Sequence, residues 1–126
     1  MGGASDHGTV FEILKTSSGY ASTPTTLVSF NGKDGSHPAG GLIMDANGDL
    51  VGTTLTGGAS DDGTVFDIAM GSDHITTLVN FNLANGGLRH GDLVFDADGN
   101  LFGTTSNGGA SNDGTVFQIN GAGFFV

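Results

Sequence analysis

The chain of 126 residues carries 13 acidic side chains against 3 basic ones, a net charge of −10, and that field argues against a polyanionic partner such as nucleic acid. It has no cysteine, which excludes a disulfide framework and a thiolate metal site, and no apolar run reaches the roughly 18 residues of a membrane helix. Glycine at 24 positions, proline at 2 and a single glutamate predict tight turns and strands with almost no helix.

The length suits one domain. Its opening residues lack the basic start and apolar stretch of an export signal, and a Met directly before a repeat phrase looks like the start of a mature or excised segment. That phrase, GGASDHGTVFEI from Gly2 to Ile13, returns as GGASDDGTVFDI from Gly57 to Ile68 and as GGASNDGTVFQI from Gly108 to Ile119, at spacings of 55 and 51 residues. A period near 50 fits a propeller blade better than the shorter helical or leucine-rich repeats. In GTVFxI, alternation puts Val with the acid or amide on one face and Phe with Ile on the other, so Phe11, Phe66 and Phe117 are expected in the core.

TSSGYASTPT follows as a loop rich in Ser, Thr and Gly, and it accounts for the four-residue difference between the two spacings. The next strand is TTLVSF, Thr25 to Phe30, matched by TTLVNF at Thr76 to Phe81. GLIMD, Gly41 to Asp45, and DLVFD, Asp92 to Asp96, each run into an Asn-Gly or Asp-Gly turn, where both central residues are expected to tolerate φ > 0. LVGTTL, Leu50 to Leu55, and LFGTTS, Leu101 to Ser106, return antiparallel, their threonine pairs fitting half-exposed strands. The chain closes on GAGFFV.

Four consecutive antiparallel strands make a meander, the unit of a propeller blade. The fold class is all-β: about two and a half repeats, with a half blade in residues 1–40 (strands three and four), a complete blade in 41–91 and a second in 92–126. Propellers have roughly 4 to 8 blades, so this number does not close a ring. A blade without a neighbour exposes apolar side chains, and a strand without a partner recruits one. Val10, Phe11 and Ile13 at one end and Phe124, Phe125 and Val126 at the other are therefore the expected assembly edges. The leftover half blade favours strand donation between copies, building a ring or a filament.

Asp45, Asn47 and Asp49, with Asp96, Asp98 and Asn100, have the alternate spacing of oxygen ligands in calcium loops, although no bidentate Glu follows and hairpin turns select the same residues. The loops holding Ser5 and Asp6, Ser60, Asp61 and Asp62, and Ser111, Asn112 and Asp113 form a repeated polar rim that suits a sugar, although turn chemistry selects the same residues. His7, His37, His74 and His90 occupy unmatched repeat positions and read as solvated loop residues, with no nucleophile elbow or HExxH stretch beside them.

Taken together, GTTxxGGASxxGTVFxI, TTLVxF and GLIMDANGDLVGTT resemble the GloVer tandem repeat, a family of multi-repeat bacterial proteins often built with an export signal and a carboxy-terminal surface anchor. The resemblance covers nearly the whole chain, though with fewer repeats and neither signal nor anchor, and it implies a surface or secreted location rather than an activity. DANGDLVGTT and DADGNLFGTT are also similar to the blade grammar of NHL-type propellers, which implies that GLIMD is an innermost strand. The expected function is non-catalytic structural self-assembly, without a cofactor, a nucleic-acid partner or membrane insertion. The alternative is a lectin-like, carbohydrate-binding propeller segment.

Overall fold

A computed structural model describes residues 2–87, 92–121 and 123–126. Among them are twelve strands and no helix. The first two-stranded sheet pairs β1 (Thr9–Glu12) with β4 (Thr25–Ser29). A meander follows in the order β5 (Ser36–Met44), β6 (Leu50–Thr56), β7 (Thr64–Ile68), β8 (Thr76–Asn80). A second has β9 (Leu93–Phe95), β10 (Leu101–Thr105), β11 (Thr115–Asn120) and β12 (Gly123–Phe125). The fold is thus the expected all-β series of two four-stranded antiparallel meanders and half of a third, and the described residues close neither a barrel nor a ring.

Two local expectations need correction. Residues 16–20, in the stretch expected to be plain loop, fold with Lys15 into a small hairpin of β2 (Lys15–Thr16) and β3 (Gly19–Tyr20), with Thr16 Oγ1 donating to the Gly19 carbonyl at 3.0 Å. The turns after β5 and β9 also differ: only Gly48 (φ 84°) and Gly99 (φ 85°) take positive φ, whereas Asn47 and Asp98 do not. Their geometry is a three-residue loop ending in a left-handed glycine. The Asp45 carboxylate holds it by accepting from the backbone N–H groups of Asn47 and Asp49 at 2.9 and 3.0 Å.

The strand pairs repeat in register, with Gly52 opposite Phe66 and Gly103 opposite Phe117. A Cβ on Gly52 would lie 2.7 Å from Phe66 Cζ and 2.8 Å from Leu42 Cδ2, so glycine is the residue that lets the ring lie across the strand. These rings organise two cores between the three sheets. Val10, Val28 and Phe30 pack on Phe66 and Ile68, on one face of the middle meander. Its other face presents Val51, Val65, Val79 and Phe81 to Leu93, Leu101 and Phe117. The aromatic contact repeats with the chain: Phe30 meets Phe66 edge-on at 5.0 Å, and Phe81 meets Phe117 at 5.2 Å.

Register also decides the threonines, which were expected half-exposed. Thr53 and Thr54 are buried, and so is Thr64. Thr54 Oγ1 lies 2.9 Å from Thr64 Oγ1 and accepts from the Thr64 N–H at 3.1 Å, so the buried hydroxyls satisfy one another. Thr105 and Thr115 repeat the pair at 2.8 Å. Phe11 is the main departure: Phe66 and Phe117 are 1% exposed, but Phe11, in the same phrase, is 56% exposed. Its side chain points out of the two-stranded sheet, on the face opposite Val10 and Val28, where no further meander packs among the described residues.

Candidate functional site

The acidic turns spend their oxygens on the backbone. Asp96 Oδ1 accepts from the N–H groups of Asp98 and Asn100, each at 2.9 Å, and its Oδ2 accepts from the Asn100 side-chain amide at 2.8 Å. The Asn100 bonds hold the Asp96 carboxyl below its ordinary pKa. Asp49 accepts from the Met70 N–H at 2.8 Å. Asp45, Asp49 and Asp98 reach one open groove between the meanders, together with Asp67. Partial burial, then the neighbouring Asp49 and Asp45, raise the Asp67 pKa. No group of three or more metal-ligating side chains converges among the described residues.

The polar rim loops have a backbone explanation for one of their repeated residues. Asp6, Asp61 and Asn112 sit at φ 59°, 61° and 60°, the left-handed region that Asp and Asn tolerate best among residues with a side chain. Asp61 accepts from the Gly57 N–H at 2.7 Å, and Asn112 accepts from the Gly108 N–H at 3.0 Å, each closing its own loop. Ser5, Ser60, Ser111 and Asp113 are exposed around them, and Asp62 is half-buried.

Two of the histidines are not independent solvated residues. Ser36, buried at the start of β5, has its Oγ 3.0 Å from His7 Nδ1 and 3.1 Å from His37 Nδ1, and His37 Nδ1 is 2.9 Å from Thr56 Oγ1. Contact across the first sheet boundary half-buries His7, whereas His37 stays exposed as expected; nothing in the local sequence announces the His7 contact, since His7 and Ser36 are 29 residues apart. His74 stays exposed beside Asp73, while His90, like the Gly91 boundary of the first complete blade, lies outside the described residues.

Both end faces carry exposed apolar groups, and Met44, Met70 and Leu78 of the middle meander and its turns are exposed as well. At the first end Phe11 and Ile13 project outward, while Val10 is buried against the middle meander. Beside β1, on the side where β7 has β6, lies an open cavity of about 320 Å³ lined by Thr9, Phe11, Pro38, Leu42, Gly52 and Phe66. At the other end Val94 and Val116 are exposed, although the corresponding Ile43 packs on the core and Val65 is fully buried. Phe125 and Val126 are exposed too, whereas Phe124 turns inward onto Phe81 and Phe117 at 5.9 and 5.6 Å. β12 pairs only with Gln118–Asn120, leaving that edge of Thr115–Phe117 without the partner that β8 gives to β7.

Compared with known protein families, residues 1–125 match the family model described as the Gloeobacter/Verrucomicrobia repeat. No curated protein and no solved structure matches the chain.

Proposed function

Because this chain belongs to the Gloeobacter/Verrucomicrobia repeat family, we propose that it is a non-catalytic structural repeat protein that acts by associating with further copies of itself, outside the cell or at its surface. One observation carries the reading: Phe11 is 56% exposed where its two copies are 1% exposed. Apolar side chains that occupy the core inside the stack stand in water at its end. Burying a phenylalanine is worth about 1.5–3 kcal/mol, so end faces of this kind favour association over isolation. Stacked four-stranded meanders suit a propeller-like ring or a filament, and a head-to-tail contact generates either one. The reading needs no metal, no cofactor and no membrane insertion, and the charge of −10 disfavours nucleic acid. The surface location rests on the family resemblance.

Light scattering after size exclusion, across a concentration series from about 1 μM to 1 mM, tests it. Mass rising in steps of the 12.6 kDa chain is the expected result, and electron micrographs then separate rings from filaments. A monomer at every concentration overturns the reading.

A further inference from the structure

We infer that β9 and β10 of one copy complete the two-stranded β1–β4 sheet of a second copy, with β1 of that second copy taking the place of β11 beside β10. The inference rests on the self-association reading and names the segments that carry it.

Three observations converge. The first is an equivalence: β1 and β11 carry the same GTVFxI phrase, so either can occupy the position next to β10. Transferring the β10–β11 register places Phe11 opposite Gly103 and Glu12 opposite Phe102. The Phe11 ring then meets a glycine, as Phe66 meets Gly52 and Phe117 meets Gly103.

The second is a vacant volume. β1 lacks the two strands that β7 has on the β6 side, and the cavity of about 320 Å³ lies there, lined by Leu42, Gly52 and Phe66. In the complete pair of meanders, Ile43 of β5 and Val51 of β6 fill the corresponding place by packing with Leu93, Leu101 and Phe117. Their counterparts 51 residues later are Val94 and Phe102. Val94 is exposed, and both belong to the strands that would arrive.

The third is a close competition for the place beside β10. β12 has three residues and covers only the last three of β11, whereas β4 has five residues and pairs with all four of β1. Val28 and Phe30 come with β4 already packed. A composite sheet β9–β10–β1–β4 therefore has a longer fourth strand in return for a shorter third one, four residues in β1 against six in β11. Stacking two unchanged end faces would leave the cavity beside β1 empty, and the exchange fills it.

The test uses the full chain with single substitutions at exposed positions, so that far-UV circular dichroism of each dilute variant matches the parent. Phe11→Asp and Val94→Asp are expected to weaken association at least tenfold, and Val116→Asp, on the displaced strand, to change it less than twofold. A second measurement needs no comparison of affinities: the chain has no cysteine, so Glu12→Cys with Phe102→Cys creates one defined pair. Oxidation is expected to join copies through an interchain disulfide. If Val116→Asp is as disruptive as Val94→Asp, or the cysteine pair closes within one chain or not at all while the parent still associates, β11 keeps its place. That result overturns the exchange and leaves self-association standing. A parent that is monomeric throughout overturns both.

Discussion

Substituting the phenylalanine of GTVFxI by alanine, one copy at a time, tests the stacked arrangement directly, because the three positions are identical in sequence and differ in what covers them. Phe66 is 1% exposed, meets the Phe30 ring at 5.0 Å and lies across Gly52. A buried Phe→Ala change leaves a cavity and costs about 3–5 kcal/mol, with the edge-on ring contact contributing about 0.5–1.5 of it. Phe117, against Phe81 at 5.2 Å and Phe124 at 5.6 Å, is in the same class. Phe11, 56% exposed, keeps less than half of the burial available to it. From about 1.5–3 kcal/mol for a fully buried ring, Phe11→Ala should cost about 1 kcal/mol in the dilute monomer. Urea titrations followed by far-UV circular dichroism at low micromolar concentration give all three values, with an unchanged slope confirming that only stability has moved. A Phe11→Ala cost equal to that of Phe66→Ala would show that the outer face is covered within the single chain. That result would refute the reasoning on exposed ends.

Three further outcomes follow from other parts of the molecule. Thr54→Val removes the acceptor of the buried Thr64 N–H and leaves the Thr64 hydroxyl only its 3.4 Å bond to the Asp34 carbonyl, and should destabilise by about 1–3 kcal/mol, while the Thr54→Val, Thr64→Val double variant costs less than the sum of the two singles in the same urea assay. Asp67→Asn should stabilise the chain at neutral pH. The folded-state pKa of Asp67 is raised by burial and by Asp49 and Asp45, so its penalty is complete above that raised value and absent below about pH 4, where the unfolded group is also protonated. Thermal melts of parent and variant should therefore converge on acidification, and a gap that widens would contradict the assignment. Because the turn carboxylates are engaged by backbone N–H groups, adding a chelator should leave the melting temperature unchanged; a drop of several degrees would identify a structural cation.

The strand grammar is legible in the sequence because it depends on local rules: apolar alternation, glycine at the end of each hairpin turn, and a phrase that returns at nearly constant spacing. The Asp or Asn at positions 6, 61 and 112 follows equally local chemistry, a left-handed backbone that short polar side chains tolerate. What escaped the sequence depends on register or on neighbours. Thr54 and Thr64 look like strand surface until β6 and β7 are aligned and their hydroxyls meet. The contact of His7 with Ser36 joins two separate sheets. The insert between β1 and β4 has no second copy to compare with, and its small hairpin went unread. Phe11 is the sharpest case, since no feature of GTVFEI distinguishes it from GTVFDI: exposure there is a property of position in the stack.

The middle meander alone is packed on both faces, and this gives the chain a gradient of protection along its length. Units that each contact only their neighbours unfold from the ends inward, with each loss exposing the next interface. Amide hydrogens of β6 and β7 should exchange with solvent at the rate of global opening, whereas those of β1, β9 and β12 should exchange through cheaper, partial openings. Because every sheet is built from strands close in the chain, refolding after such an opening searches few conformations, and the centre serves as the template on which both ends re-form.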